Sequence, residues 1–125
     1  LVHLVEIRAS QINGCAYCLN MHTKVARAAG ETGQRLNLIA AWRHAPVFTD
    51  RERAALGWTD ALTRLSQGYP DAEARAALQA QFSEEEQVNL TLMINVINGW
   101  NRIVLGFDLW SDEVPAQATS EVAAA

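Results

Sequence analysis

The feature that most constrains the fold is a long apolar segment, EEEQVNLTLMINVINGWNRIVLGF, at residues 84–107. Ser83 followed by Glu86 is the capping-box pattern that begins a helix. Apolar residues recur at helical spacing and nearly encircle this helix, so one buried face does not account for them. A chain of 125 residues has little interior for such a helix. We therefore expect it to pack both inside the domain and against a second subunit.

Similar helix signals run through the rest of the chain. Thr49 with Glu52 forms a second capping box, Gly30 and Gly68 are typical helix stops, and Pro46 ends the helix before it. Strand-like alternation and internal repeats are not evident. We predict an all-α fold with one helical domain at residues 1–110 and a flexible tail at 111–125. The predicted helices are at 1–12, 15–29, 32–45, 49–68, 71–81 and 83–107.

Composition and charge exclude several function classes. Half of the residues are hydrophobic, which is typical of a globular domain. Ten basic residues face fourteen acidic ones without a basic stripe, so a nucleic-acid partner is not expected. The apolar stretches are too interrupted to span a membrane, and no secretory signal is visible, so we expect a cytoplasmic protein without a membrane partner. The sequence opens at Leu1 without methionine, and we expect a preceding segment.

Both cysteines lie in INGCAYCLNMH, residues 12–22. Cys15, Cys18 and His22 are spaced i, i+3, i+7, which places them in one stripe of a helix. The Asn13-Gly14 break puts Cys15 at the start of that helix, where unpaired N–H groups lower a thiol pKa. His22, one turn after Cys18, is placed to take its proton. Because cytosolic thiols are normally reduced, such a pair indicates catalysis or metal binding.

Two other interpretations of the motif remain open. One is a zinc-stabilised helical module in which His3 or Glu6 joins Cys15, Cys18 and His22 as a fourth ligand. The other is a non-enzymatic redox switch whose dithiol controls assembly. A c-type haem is excluded, because Leu19 stands where the attachment motif requires histidine. We expect no cofactor and no metal.

At this point the sequence resembles a known family. LVEIRASQINGCAYCLNMHTKVARAAGE, AAWRHAPVFTDRERAALGWTDALT and INGWNRIVLGF are similar to the alkylhydroperoxidase AhpD-like proteins of the carboxymuconolactone decarboxylase superfamily. The resemblance implies a helical fold that assembles into trimers or hexamers. The decarboxylase branch of the superfamily lacks the CxxC motif, so the resemblance is to the redox branch. It implies a hydroperoxide as substrate and a cellular dithiol as reductant.

The resemblance also implies roles for individual residues. Cys18 resembles the thiol that attacks peroxide, Cys15 the resolving thiol, and His22 the base of a proton relay. The family pattern has a glutamate twelve residues before the first cysteine, where this chain has His3, and Glu6 one turn later is a candidate substitute. The family also has a histidine directly before the second cysteine, and this chain has Tyr17 at that position.

Which thiol attacks is also an energetic question. The helix terminus favours an acidic Cys15 by roughly 0.3–1 kcal/mol. A direct bond to an ionised histidine is worth about 1.5–3 kcal/mol and favours Cys18. We therefore predict Cys18.

Three further features have structural interpretations. Trp42, Arg43 and His44 lie beside Pro46, where they could rim a pocket, but we favour Trp42 in the core with Arg43 and His44 at the surface. We expect Trp58 in an apolar stripe with Leu62 and Leu65. The asparagines of the long helix either bind across a subunit interface or form an exposed strip. They are Asn95, Asn98 and Asn101.

Overall fold

A computed structural model describes residues 1–113. Within that range the chain forms six α-helices and no strand, so the all-α prediction is confirmed. The helices are α1 (Val2–Asn13), α2 (Ala16–Ala28), α3 (Gly33–Leu38), α4 (Asp50–Thr63), α5 (Ala72–Gln81) and α6 (Glu84–Gly106). Short 3₁₀ turns follow α3 at Ile39–Ala41 and α4 at Leu65–Gln67.

Local signals set most of these boundaries. Both predicted capping boxes are present, at Thr49 with Glu52 and at Ser83 with Glu86. Gly14 ends α1 in the left-handed conformation, with φ of 73°, which glycine adopts without steric cost. These caps fix where α1, α4 and α6 meet the loops.

The third helix is shorter than predicted, because α3 ends at Leu38 rather than continuing to 45. Tertiary contacts replace the helical hydrogen bonds in the turn after it. The guanidinium of Arg53 donates to the carbonyls of Trp42, Arg43 and Ala45 at 2.8–3.1 Å. The fourth helix is likewise shorter than predicted and ends at Thr63, where the 3₁₀ turn tightens the chain.

Helix α1 is the centre of the packing and contacts α2, α4 and α6. One side of α1 contributes to an apolar cluster with the turn after α3 and with α4. The other side contributes to a cluster with α4, α5 and α6. The first cluster includes Leu4, Ile7, Ile39, Trp42 and Leu56, and the second includes Val5, Ala55, Leu78, Leu90 and Ile94.

Predictions for individual aromatic residues are largely confirmed. Trp42 is buried, while Arg43 and His44 are exposed. Trp58 packs against the second cluster with Leu62, but Leu65 is exposed because it lies in the 3₁₀ turn beyond the end of α4.

Asn98 and Asn101 of α6 point into the domain. They lie neither across a subunit interface nor in an exposed strip, so both predictions were wrong for them. Asn13 Nδ2 donates to Asn98 Oδ1 and Asn101 Oδ1, each at 2.9 Å. Asn101 Nδ2 donates to Ser10 Oγ at 3.1 Å. These bonds connect α6 to the end of α1, directly before the cysteine motif. Asn95 is exposed.

The opposite face of α6 is apolar and open to solvent. Side chains along it are 46–76% exposed: Val88, Leu92, Val96, Trp100, Ile103 and Phe107. The helix is thus buried on one side only within a single copy. None of the helices among residues 1–113 has the length and apolar character needed to cross a membrane.

Part of the predicted tail contacts the helical domain. Lys24 Nζ donates to the carbonyl of Asp112 at 3.0 Å, and Asn20 Nδ2 reaches the Asp112 side chain at 3.5 Å. Residues 114–125, the remainder of the predicted tail, lie outside the described range.

Candidate functional site

The two cysteines form a disulfide at the start of α2. Cys15 is the N-cap of α2, with extended backbone, and Cys18 lies in the first turn. The backbone N–H of Cys18 donates to Cys15 Sγ at 3.2 Å. A sulfur held by a helix N-terminal N–H is stabilised in its anionic form, which is what a reactive dithiol requires.

Both sulfurs are covered by other side chains. Cys15 is 0% and Cys18 2% exposed, and the two pack with Val104 of α6 and with Tyr17. The cysteine motif does not predict a role for Val104, because Val104 lies 86 residues beyond Cys18. The dithiol is therefore held in an apolar niche between α2 and α6.

His22 follows Cys18 by one turn on α2 and is 9% exposed. Its Nδ1 atom lies 2.8 Å from Oε2 of Glu6 on α1. The hydrogen bonds among residues 1–113 include none between His22 and either sulfur in the disulfide form. The structure thus places the Glu6–His22 pair at the contact between α1 and α2, one helical turn beyond Cys18.

His3 lies one turn before Glu6 on α1. Its Nδ1 atom is buried and has no hydrogen-bond partner in the structure. Burial lowers the pKa of His3, while the nearby Glu6 carboxylate opposes that effect. His3 is therefore favoured in its neutral form, and Glu6, not His3, provides the carboxylate that contacts His22.

A second cluster of charged groups was not anticipated from the sequence. Asp60 of α4 is buried and accepts hydrogen bonds from Arg8 and from Trp42 Nε1. These residues are far apart in sequence and no short motif connects them. The packing of α1 against α4 brings Arg8 to Asp60, and Trp42 reaches Asp60 from the turn after α3.

No group of three or more histidine, cysteine, aspartate or glutamate side chains in residues 1–113 is arranged to hold a metal ion. In the disulfide form, moreover, neither sulfur is available as a thiolate ligand.

The fold and site define an all-helical protein with a CxxC disulfide at a helix N-terminus and an adjacent histidine–carboxylate pair. The sequence model of the carboxymuconolactone decarboxylase family matches residues 1–61. The chain belongs to this family, and a solved structure with a TM-score of 0.84 confirms its AhpD-like fold.

Relatives support this assignment along most of the chain. The uncharacterized protein YdfG of Bacillus subtilis is 44% identical over 101 residues, covering 80% of this chain and 68% of YdfG. The uncharacterized protein YnjA of Escherichia coli is 31% identical over 120 residues, covering 95% of this chain and 62% of YnjA. The chain thus spans about two thirds of the length of these relatives.

A solved structure gives the same fold. It is a crystal structure of a protein of unknown function from Agrobacterium tumefaciens, described provisionally as the antioxidant defence protein AhpD. It is 45% identical, with a TM-score of 0.84, and the match covers 92% of this chain and 77% of that one.

Proposed function

We propose that this chain is a thiol-dependent peroxidase and disulfide oxidoreductase that reduces hydroperoxides. The observation that carries the proposal is the Cys15–Cys18 disulfide at the N-terminus of α2, with His22 one turn beyond it and held by Glu6. Membership in the carboxymuconolactone decarboxylase family and the likeness to an AhpD-like structure support it.

The first step is attack by Cys18 on a hydroperoxide. His22 accepts the thiol proton, and the Cys18 thiolate attacks the distal peroxide oxygen, which breaks the O–O bond. Cys18 becomes a sulfenic acid, and the departing alkoxide takes the proton from His22 and leaves as an alcohol. Glu6 orients His22 and stabilises its protonated form while the proton is held there.

The second step closes the disulfide. The Cys15 thiol loses its proton, the Cys15 thiolate attacks the sulfenic sulfur of Cys18, and the displaced hydroxide takes up a proton and leaves as water. The two residues are one helical turn apart, with Cα atoms 5.3 Å from each other, so the bond forms without a large backbone movement. A cellular dithiol then reduces the pair by thiol–disulfide exchange and leaves as a disulfide, which restores both thiols.

Cys18 is assigned the attacking role because His22 follows it by one turn. Cys15 accepts the backbone N–H of Cys18, which also stabilises a thiolate at Cys15. That thiolate suits the resolving step, because it is the species that attacks the sulfenic sulfur. The two cysteines thus have different sources of activation, which makes their roles separable by mutation.

The proposed assembly is a homo-oligomer, a trimer or hexamer, in which a second copy of this chain covers the apolar face of α6. That face includes Val96, Trp100 and Phe107, each more than half exposed in the single chain. A contiguous exposed apolar face of this kind is typical of a subunit interface. Val104, a buried residue of the same helix, covers the sulfurs.

Intact-mass measurement after one equivalent of hydroperoxide tests the proposal. The reduced wild-type protein should lose two hydrogens, and Cys15→Ser should retain Cys18 and gain one oxygen. Cys18→Ser should remain unchanged over the same interval. Oxidation of Cys18→Ser with an inert Cys15→Ser would reverse the roles of the two cysteines. No oxidation of the wild type would contradict peroxide reduction by this chain.

Turnover distinguishes an enzyme from a redox switch. With dithiothreitol as reductant, the wild type should consume many equivalents of hydroperoxide, and Cys18→Ser should consume none above the background rate. A single equivalent consumed, together with a change in oligomer size, would favour a non-enzymatic redox switch instead.

A further inference from the structure

Buried amide side chains connect the end of α1 to α6 beside the cysteine motif. Asn13, the last residue of α1, donates from Nδ2 to Asn98 Oδ1 and to Asn101 Oδ1, each at 2.9 Å. Asn98 and Asn101 are 8% and 0% exposed. Breaking these bonds would leave two amide oxygens unpaired and away from water, which is strongly unfavourable. Asn13 therefore holds the end of α1 at a fixed position against α6.

The same contact continues from Asn101 to the backbone of Cys15. Asn101 Nδ2 donates to Ser10 Oγ at 3.1 Å, and Ser10 is fully buried. The backbone carbonyl of Ser10 accepts the N–H of Cys15 at 3.0 Å. Ser10 and Asn13, which both bond to α6, therefore lie on the short chain segment that carries Cys15.

Cys15 ends the hydrogen bonding of α1 and begins that of α2. Its N–H bond to Ser10 spans Gly14, whose left-handed conformation stops α1. Its carbonyl accepts the N–H of Leu19, and its sulfur accepts the N–H of Cys18. The position of the Cys15 sulfur relative to Cys18 consequently depends on where the end of α1 is held.

The α6 side of the dithiol niche is anchored at the same point. Val104 lies one turn after Asn101 and packs with both cysteines through apolar atoms alone. Apolar packing is not directional, so it does not by itself fix how α6 is placed against the sulfurs. The hydrogen bonds of Asn13 to Asn98 and Asn101 are directional and do fix it. One amide therefore positions both Cys15 and the residue that covers the disulfide.

We propose that Asn13 is a positioning residue for the dithiol, whose hydrogen bonds to α6 hold Cys15 at the separation from Cys18 that the disulfide requires. The Cα atoms of the two cysteines are 5.3 Å apart, within the range in which a disulfide forms. Release of the α1 end from α6 lowers the effective concentration of one sulfur at the other, so the redox equilibrium moves towards the dithiol. The inference rests on the Cys15–Cys18 redox couple of the proposed function, but not on a hydroperoxide as its oxidant.

Equilibration with mixtures of reduced and oxidised dithiothreitol tests this role without any hydroperoxide. The protein disulfide takes two electrons and two protons from reduced dithiothreitol, which becomes its cyclic disulfide, and both cysteines become thiols. Alkylation followed by intact mass gives the ratio of the two protein forms. In Asn13→Ala the equilibrium constant should move roughly fivefold towards the dithiol. A wild type that exchanges with dithiothreitol but does not reduce hydroperoxides would contradict the proposed function and leave the role of Asn13 standing.

Urea unfolding of the oxidised and the reduced protein separates positioning from ordinary packing. Asn13→Ala should lower the free energy of unfolding in both redox states, because it leaves buried amide oxygens unpaired. The decrease should be larger in the oxidised protein. Since Asn13 makes no such contact in the unfolded chain, the difference between the two decreases must equal the shift in the redox equilibrium. Equal decreases with an unchanged redox equilibrium would show a purely structural role and overturn the proposal.

The matched control is Thr63→Ala. Thr63 Oγ1 accepts from Asn98 Nδ2 at 3.1 Å, so it belongs to the same set of hydrogen bonds but joins α6 to α4 rather than to α1. It should lose equal stability in both redox states and keep the wild-type equilibrium. A shift as large as that of Asn13→Ala would refute a specific role for Asn13.

A second variant keeps the test decisive if Asn13→Ala does not fold. Ser10→Ala removes the acceptor of Asn101 Nδ2 and adds no bulk at a buried position. It should shift the redox equilibrium towards the dithiol, in the same direction as Asn13→Ala. An equilibrium identical to that of the wild type would then count against positioning of Cys15 by the α1–α6 contact.

Discussion

His22 Nδ1 lies 2.8 Å from Glu6 Oε2, and this contact joins α2 to α1 beside the disulfide. The carboxylate contacts the ring on its Nδ1 side, which leaves Nε2 for the proton transfer proposed above. A carboxylate in this position also stabilises the imidazolium formed when His22 takes a proton.

Glu6→Gln should slow the reaction of the reduced protein with iodoacetamide by about tenfold near neutral pH, because the amide cannot offset the charge on His22. His22→Ala should slow it at least as much. The rate is measured from the mass increase per unit time. The matched control is Glu73→Gln, an exposed glutamate of α5, which should react as the wild type does. Equal rates in Glu6→Gln and the control would exclude Glu6 from the mechanism.

Val104 covers the disulfide from α6, so it is expected to limit access of a dithiol donor. Val104→Ala removes part of that cover and should accelerate reduction of the Cys15–Cys18 bond by dithiothreitol several-fold. It should also lower the free energy of unfolding by about 1 kcal/mol through lost packing. Asn89→Ala, at an exposed polar position of the same helix, serves as the control. Unchanged reduction kinetics in Val104→Ala would indicate that the donor approaches from another side.

The sequence predicted those parts of the fold and site that depend on neighbours along the chain. The capping boxes at Thr49 and Ser83 and the stripe of Cys15, Cys18 and His22 are set by helical spacing alone, and the structure contains all of them. The choice between His3 and Glu6 stayed open, because it depends on how α1 is rotated against α2.

Contacts between distant segments explain the remaining differences. Asn101 is fully buried because Ser10 and Asn13 on α1 satisfy its amide, a pairing across about 90 residues. The bonds between Arg8 and Asp60 likewise join α1 to α4. A helical pattern indicates which face of a helix is polar, but the partner of that face depends on the tertiary packing.

Assembly through the apolar face of α6 is tested at Trp100, which is 58% exposed. Trp100→Glu places a charge in the proposed interface and should reduce the particle to a monomer, because an unpaired buried charge strongly destabilises an interface. Light scattering coupled to size exclusion gives the mass directly. Asn95→Glu, at an exposed polar position of the same helix, should keep the wild-type mass. A monomeric wild type would refute the assembly.

His3 gives the site a pH-dependent stability. Burial lowers the pKa of His3 below its ordinary value of 6.5, so the unfolded chain binds a proton at a higher pH than the folded chain does. As the pH falls below about 6.5, protonation therefore favours the unfolded state, and the free energy of unfolding decreases until the folded pKa is passed. Above about pH 6.5 the contribution of His3 to stability is complete.

His3→Gln removes this titration while keeping a polar side chain at the same place. Its melting temperature should fall less than that of the wild type between about pH 7.5 and about pH 5, as measured by circular dichroism. Glu6, His22 and Glu31 act on His3 through their charges and are the same in both proteins, so the difference between the two curves isolates His3. His44→Gln, at an exposed histidine, should follow the wild-type curve. If His3→Gln loses as much stability on acidification as the wild type, another group near α1 accounts for the pH dependence.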